Sequence, residues 1–415
     1  MNDLPPDAKL IHDWNVAEGD GPSRTTRIHL LDETLRDGLQ SPSVQNPDIE
    51  TKLKLLHRME ALGIDSVDVG LPGAGVRARE DILALCREIV DNRMKIRPNC
   101  AVRTVRSDIE PLVEISQQAG IAIEACTFIG SSPIRQYAEA WTLERMVALT
   151  ESAVAFAVEN ELPVMYVTED TTRAAPETIT RLYKTAIEAG ANRACVCDTV
   201  GHITPDGVRN LVAFMQGLIE ETGEEVQIDW HGHNDRGLAV ANTLAAAAAG
   251  VDRVHATALG IGERVGNCAM DQLMINLKLM GYIDSDLTAL DEYVRIASES
   301  TGVPIPIQYP VFGRDAFRTA TGVHAAAIIK AHKKGEEWLA DRIYSGVPAG
   351  MVGRRQVIEI GFMSGASNVT YWLEERNIAP EEKLVSRILH VAKERHAVLT
   401  DQDVLTICTE HASRA

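Results

Sequence analysis

The 415-residue chain is long enough for one large hydrophobic core and an appended region. Its 41 Lys and Arg and 59 Asp and Glu give a net charge of −18, which argues against binding nucleic acid or an anionic membrane through a basic surface. No apolar stretch approaches the roughly 20 residues of a membrane span, and the N-terminus lacks the regions of a signal peptide. We therefore expect a cytoplasmic protein with no membrane partner and no nucleic-acid partner.

The seven cysteines are odd in number and scattered, and most of them lie in apolar, strand-like runs. Reduced thiols in the core of a cytosolic protein are therefore expected. Cys195 and Cys197 have the spacing of half a metal site, but no second pair follows, so we assign them to core packing.

After a polar N-terminal arm (1–26), short apolar runs alternate with amphipathic helical patterns. The predicted strands are 27–31, 66–70, 97–103, 121–128, 163–168, 193–198, 226–231 and 253–258. The predicted helices are 49–62, 78–90, 107–119, 143–159, 176–189, 205–221, 237–249 and 269–280. Several of these helices end at glycine, which tolerates the left-handed C-terminal cap.

Eight successive strand–helix units predict an α/β fold, a (β/α)8 TIM barrel over residues 27–282. A doubly wound open sheet would also alternate, but the near-equal units and the lack of a Gly-x-Gly-x-x-Gly turn after the first strand favour the barrel. Beyond residue 282 the alternation stops, and a proline-spaced connector (304–310) leads to helical patterns at 312–333, 367–375 and 380–396. Residues 283–415 are therefore predicted to form a mostly helical C-terminal region.

In such a barrel the active site lies where the strands end, so polar residues at several strand ends should form a chemically sensible set. Six predicted strands meet this expectation: they lead into Arg36 and Asp37, Asp68, Glu169, Asp198 and Thr199, His231 and His233, and the loop 260–267.

His231 and His233 are two residues apart, so in extended backbone both rings point to the same side and can bind one ion. With Asp37 and with Asn267 they would supply nitrogen and oxygen ligands and leave positions open for substrate and water. This set suits Zn, Mn or Mg, and the spacing does not choose among them. Arg36 could neutralise charge on an oxygen bound to that cation. The alternatives are a structural histidine pair and a solvated Arg36–Asp37 ion pair.

Three motifs carry a family resemblance: Asp-Glu-Thr-Leu-Arg-Asp-Gly (32–38), His-Gly-His-Asn-Asp-Arg-Gly (231–237) and Gly-Ile-Gly-Glu-Arg-Val-Gly-Asn (260–267). Together they resemble the pyruvate-carboxyltransferase-like metallolyase superfamily. Its members include 2-isopropylmalate synthase, homocitrate synthase, citramalate synthase and hydroxymethylglutaryl-CoA lyase. The third motif has the synthase form, whereas Gly-Leu-Gln at 38–40 is similar to the lyases.

The resemblance implies an acyltransferase of the EC 2.3.3 class, acting in amino-acid biosynthesis. Acetyl-CoA would lose a methyl proton, its enolate would attack a 2-oxoacid, and hydrolysis of the thioester would free CoA. A divalent metal held by Asp37, His231 and His233 would act as Lewis acid on the oxoacid. Arg36 would stabilise the developing alkoxide or enolate, and Thr199 would bind the oxoacid carboxylate.

The region from residue 283 is similar to the helical subdomains that follow the barrel in the synthases. The resemblance implies that His324 and Tyr344 reach the active site of the other subunit of a homodimer. His324, with Glu169 acting through water, would remove the proton, and Tyr344 would orient it. The residues alone leave two alternatives open: His324 as a core histidine and Glu169 as an ion-pair partner of Arg173.

Gly260, Gly262 and Glu263 would shape a loop near the coenzyme. The chain shows no counterpart of the leucine-feedback domain of many 2-isopropylmalate synthases, so feedback inhibition through such a domain is not expected.

The substrate side chain is the least determined feature. Arg135 stands where the family often has His, and Asp68 stands where it usually has Glu. Both are candidate substrate-binding residues, as is Gln40. We favour a 2-isopropylmalate synthase-like enzyme, while Arg135 keeps homocitrate synthase open. Citramalate synthase, a lyase, and a barrel without catalysis are the remaining alternatives.

Overall fold

The structure is a computed structural model that describes residues 10–12, 14–15 and 27–413. Most of the predicted N-terminal arm (1–26) lies outside these residues. The chain from residue 27 onwards falls into two compact units, one ending at Pro304 and the other beginning at Ile305.

The first unit is a closed barrel of eight parallel strands in sequential order, with β8 pairing with β1. The strands are β1 His29–Asp32, β2 Ser66–Asp68, β3 Arg97–Arg103, β4 Glu124–Gly130, β5 Val164–Glu169, β6 Arg193–Asp198, β7 Gln227–Gly232 and β8 Arg253–Ala256. The predicted (β/α)8 barrel is thereby confirmed.

The helices of this unit surround the barrel. They span Ile49–Ala61, Val76–Asp91, Arg106–Ala119, Pro133–Glu139, Leu143–Glu159, Pro176–Glu188, Pro205–Thr222, Ala239–Ala249, Met270–Leu279 and Leu290–Thr301. Two of them, Pro133–Glu139 and Leu290–Thr301, were not predicted. The first is only seven residues long and buries none of them, so it has no apolar periodicity to reveal it.

Strand β4 begins three residues later than predicted and extends to Gly130. Residues 121–123 belong to the preceding turn instead, because the Ser116 hydroxyl donates to the carbonyl of Ile121 after the left-handed cap at Gly120. Ile123 in this turn is fully buried, which accounts for its apolar character.

The barrel interior contains Leu31, Cys126, Met165, Cys195 and Cys197 in one buried cluster. All seven cysteines are free thiols, and all but Cys408 are buried. Cys195 and Cys197 lie on the same face of β6, with their sulfur atoms 3.8 Å apart, as expected for residues two positions apart in a strand.

The second unit is mainly helical, as predicted. Its helices are Gly322–Lys333, Glu337–Arg342, Ala366–Glu374, Glu382–Glu394 and Asp401–Ala412. One predicted helix (312–333) was too long: it begins only at Gly322, because Arg318–Thr319 instead pairs as a short strand with Val357–Ile358.

Two apolar clusters hold this second unit together. One contains Val369, Trp372, Leu384 and Ile388 among its members, and the other is centred on Ile328 and its neighbours. Among the described residues, no helix is both long and apolar enough to cross a membrane. Cytoplasmic localisation stays a prediction.

Candidate active site

The turn after β1 positions Arg36 and Asp37. Asp32, the last residue of β1, is buried and accepts a hydrogen bond from the backbone N–H of Thr34 at 2.8 Å and another from the hydroxyl of Tyr293. The backbone N–H of Gly38 then donates to the carbonyl of Glu33 at 3.0 Å and closes the turn. The chain therefore reverses tightly at the end of β1 and directs the Asp37 carboxylate into the barrel mouth.

His231 and His233 reach the same point from the end of β7. Their Nε2 atoms lie 3.7 Å and 3.6 Å from Oδ2 of Asp37. All three ligand atoms lie within 4.8 Å of one another. Two atoms bound at about 2.1 Å to a tetrahedral ion are about 3.4 Å apart, so this spacing suits one shared cation.

Asn267 completes the predicted ligand set. The backbone around it hydrogen-bonds along the end of β7, with Cys268 N–H donating to the Gly232 carbonyl at 3.1 Å. The Asn267 amide Nδ2 donates to Asp37 at 2.5 Å, while its Oδ1 is buried with no hydrogen-bond partner among the described residues. The amide thus turns its nitrogen toward Asp37, while its Oδ1 lies against Gly262. In this arrangement Asn267 supports the ligand Asp37, and its role as an oxygen ligand stays a prediction.

Hydrogen bonds orient these ligands, and nearby charges and burial shift their pKa values. Nδ1–H of His231 donates to Glu33 at 2.7 Å, which leaves Nε2 facing Asp37. Burial opposes the charged imidazole, but the Glu33 carboxylate outweighs it and raises the pKa of His231 to about 10. Burial and the charge of His231 lower the pKa of His233 to about 4. Burial also opposes ionisation of Asp37, but Arg36 and His231 outweigh it and hold its pKa below the ordinary value.

Arg36 is held by three carboxylates. Its Nε donates to Asp68 at 2.7 Å, and its other nitrogens lie 3.2 Å from Asp37 and 3.3 Å from Glu33. Burial raises the pKa of Asp68 to about 6 even beside this guanidinium. Asp68, a predicted substrate-binding residue, is thus engaged by Arg36 and fixes its orientation.

Glu169 lies at the end of β5 and faces the cavity. The alternative that it forms an ion pair with Arg173 is wrong. Arg173 binds Asp170 at 2.6 Å, and Glu169 instead lies 3.6 Å from Arg135. Burial raises the pKa of Glu169, although the Arg135 charge opposes this shift. Arg135 also lies 3.2 Å from Glu139, so it is shared between two carboxylates.

The loop 260–267 folds tightly against Asn267. A Cβ at Gly262 would lie 2.0 Å from Oδ1 of Asn267, and one at Gly266 would lie 1.9 Å from the Gly260 carbonyl. Gly266 also has a φ of +95°, which disfavours other residues. The glycines therefore allow the close approach that brings Asn267 to the site, and Glu263 lines the cavity beside them.

A cavity of about 350 Å³ opens at this end of the barrel. Its lining includes these predicted residues: Arg36, Asp37, Gln40, Asp68, Glu169, Thr199, His231, His233 and Glu263. Thr199 lines the cavity, and its hydroxyl oxygen accepts a hydrogen bond from the backbone N–H of Asp170 at 2.8 Å. Arg135 is not part of the lining.

His324 and Tyr344 belong to the second unit. Their rings are stacked, with centroids 4.1 Å apart and planes inclined by 26°. His324 is exposed, so the alternative of a buried core histidine is wrong. Their participation in a site shared between subunits, and the homodimer itself, stay predictions.

Sequence analysis missed several lining residues. Glu33 was part of a recognised motif but was given no role, and His255 was not considered. His255 is two residues from Arg253 in β8, so both side chains lie on the same face of the strand. The predicted strand already contained this information. Cys126, Phe128 and Val167 line the cavity from β4 and β5.

The fold and the site together define a (β/α)8 barrel with a candidate divalent-cation centre at the C-terminal ends of its strands. The HMGL-like family matches residues 27–298, and the chain belongs to this family.

Curated relatives extend the comparison beyond the barrel. The chain is 32% identical to a homocitrate synthase of Methanopyrus kandleri, with 90% of each chain covered. It is 30% identical to a 2-isopropylmalate synthase of Sulfolobus acidocaldarius, with 88% of this chain and 90% of the relative covered. Among solved structures, the HMG-CoA lyase of Bacillus subtilis superposes with a TM-score of 0.56 at 20% identity, covering 68% of this chain and 96% of that one; this similarity concerns the fold.

The metal site can be tested by removing one ligand. His231→Ala should lower the affinity for zinc or manganese by more than about 100-fold, since loss of a mere supporting contact already costs 10–100-fold. Metal content after dialysis, measured by mass spectrometry, reports this loss. His202→Ala, at an exposed histidine, serves as the matched control. A His231→Ala protein with the metal content of the wild type would contradict the assignment.

Proposed function

We propose that this protein condenses acetyl-CoA with a 2-oxoacid in a Claisen reaction, as a 2-isopropylmalate synthase-like acyltransferase. One observation carries the proposal: Arg36 and the ligand atoms of Asp37, His231 and His233 meet in one cavity. The synthase names of the relatives that cover about nine-tenths of the chain support this choice of reaction.

The ligand set prepares the oxoacid for attack. A divalent cation held by Asp37, His231 and His233 supplies Lewis acidity toward a carbonyl oxygen when it is bound. Arg36 places a fixed guanidinium beside the ligand Asp37, where it stabilises negative charge that develops on the reacting oxygen. Thr199 offers its hydroxyl to the oxoacid carboxylate from the end of β6.

Proton removal from acetyl-CoA is assigned to His324, with Tyr344 stacked on its ring to hold it in place. Glu169 assists through water from the barrel side, where burial keeps its pKa raised. We further propose that His324 and Tyr344 act on the cavity of the partner subunit in a homodimer. Glu263 and the glycine loop are assigned to the coenzyme.

The wall of the cavity favours an uncharged substrate side chain. Strands β7, β8 and β1 carry the candidate ligands, and β3–β5 stand opposite them in the closed strand order. This opposite wall presents Ala101 from β3, Cys126 and Phe128 from β4, and Met165 and Val167 from β5, with the carboxylate of Glu169 at the end of β5. A substrate held by its oxoacid end at the ligands would therefore direct its side chain at apolar and sulfur-containing side chains, with Glu169 as the charged group of this wall within the described lining.

A second carboxylate on the substrate would meet an unfavourable surface there. Within the described lining, the guanidinium groups are those of Arg36 and Arg264, and both are already paired with carboxylates. Arg135 is likewise engaged by Glu139 and Glu169. Burying a carboxylate without a partner is costly, which disfavours 2-oxoglutarate relative to an alkyl oxoacid.

The reaction is tested by mixing acetyl-CoA with 2-oxoisovalerate, pyruvate or 2-oxoglutarate and following free thiol, with and without chelator. We expect chelator-sensitive thiol release and a kcat/KM for 2-oxoisovalerate at least about tenfold above that for 2-oxoglutarate. The opposite order would indicate a homocitrate synthase. Failure of every oxoacid, together with cleavage of a hydroxyacyl-CoA, would indicate a lyase.

Arg36→Lys separates charge from geometry. The lysine keeps the positive charge but cannot reproduce the planar contacts to three carboxylates. We expect kcat to fall by about 10²–10³-fold with metal content unchanged. Steady-state thiol release at saturating substrate, beside metal analysis of the same preparation, measures both. An unchanged kcat would refute the catalytic assignment of Arg36.

Val167→Ala tests the apolar wall. Removing this side chain enlarges the pocket, so preference should shift toward the next longer alkyl oxoacid by about tenfold in the ratio of kcat/KM values. Val164→Ala is the matched control, because Val164 is buried in the same strand but does not line the cavity. An equal change of substrate preference in both variants would show that the side chain of the substrate does not contact Val167.

A further inference from the structure

A network of buried charged groups runs down the inside of the barrel from the candidate ligands. Its upper member is Glu33, which is 3% exposed. The Oε2 atom of Glu33 accepts from Nδ1 of His231 at 2.7 Å, and its Oε1 accepts from Nδ1 of His255 at 3.1 Å. One carboxylate thus bridges a candidate ligand and a second histidine that has no place in the ligand set.

The second histidine is fixed from below as well. Nε2 of His255 lies 2.8 Å from Oδ2 of Asp229, and His255 is 2% exposed. Its ring is therefore hydrogen-bonded at both nitrogens to carboxylates on opposite sides, and rotation about its side-chain bonds would break at least one of these bonds.

Asp229 is itself immobilised by two guanidinium groups. Arg253 donates to its Oδ2 at 2.6 Å, and Arg193 donates to its Oδ1 at 2.6 Å. Arg253 also donates to Glu124 at 2.6 Å. Buried groups with this many charged hydrogen bonds resist displacement, because moving one of them leaves its partners unpaired.

We propose that His255 is a positioning residue for the metal centre, which holds Glu33 in the orientation that presents Nε2 of His231 to the cation. Asp229 anchors His255, His255 anchors Glu33, and Glu33 fixes the ring of His231. The inference rests on the proposed metal site, and it assigns to His255, anchored by Asp229, a role in metal affinity rather than in packing alone.

The same contacts argue against a second cation between Glu33, His231 and His255, although their atoms lie close enough for one. The two nitrogen–oxygen distances, 2.7 Å and 3.1 Å, are those of hydrogen bonds. A cation there would displace the proton that His231 shares with Glu33.

The test compares zinc affinity of the full-length protein by competition with a chromogenic chelator. His255→Met keeps the volume but removes both hydrogen bonds, and it should weaken zinc binding by about tenfold or more. His255→Gln keeps a donor for Glu33 and should lose no more than about threefold, as partial rescue of that supporting contact. If the methionine variant does not fold, His255→Asn replaces it in the test. Asparagine stays polar but is too short to span both carboxylates, so we again expect about a tenfold loss of zinc affinity.

Glu124→Gln is the matched control, since it removes a charge from the same network without touching Glu33 or His255. It should lower the midpoint of thermal unfolding and leave zinc affinity unchanged. Equal zinc affinity in the wild type and the His255 variants would overturn the inference while leaving the metal site intact. A wild type that binds no zinc, manganese or magnesium would overturn both. Binding of two ions per chain in the wild type would also overturn the inference, because it would place a cation where the hydrogen bonds are proposed.

Discussion

Closure of the barrel is the constraint on which the rest of the structure depends. Pairing of β1 with β8, in register from His29 opposite Arg253 to Asp32 opposite Ala256, brings the first and last strands together. Only this closure places Asp37 beside His231 and Asn267, which are about two hundred residues away along the chain. Because the turn after β1 and the loop after β8 both depend on it, an error in this register would separate the candidate ligands and expose Glu33, His255 and Arg253.

Much of this arrangement could be predicted from the sequence, because strand ends and side-chain parity are local properties. The spacing of His231 and His233 indicated one shared direction. The glycines of the loop 260–267 indicated a close backbone approach, although this was predicted toward the coenzyme, and the close contact in the structure is with Asn267. These are consequences of backbone geometry within a few residues. The barrel architecture followed in the same way, from the regular recurrence of apolar runs and amphipathic helices.

What could not be predicted depends on partners that are distant in sequence. Arg173 is only four residues from Glu169 and was therefore the proposed partner of its ion pair. In the structure Arg173 pairs with Asp170 instead, and Glu169 lies near Arg135, from the short helix that follows β4. The start of β4 was misplaced because Ile121 and Ile123 are as apolar as strand residues, although they pack in a turn. His255 was overlooked since a single histidine in an apolar strand carries no sign of the two carboxylates that flank it.

The candidate ligands and the wall facing the substrate side chain come from different strands, and this separation affects how such barrels can change substrate. Groups assigned to the cation and to the reacting oxygen come from β7, β8 and the turn after β1, whereas the wall assigned to the substrate side chain comes from β3, β4 and β5. The two sets share no strand, so substitutions in one need not disturb the hydrogen bonds of the other. An ancestral barrel could therefore exchange one oxoacid for another through a few replacements at Ala101, Cys126 or Val167, which offers a physical reason why relatives about 30% identical to this chain carry different substrate names.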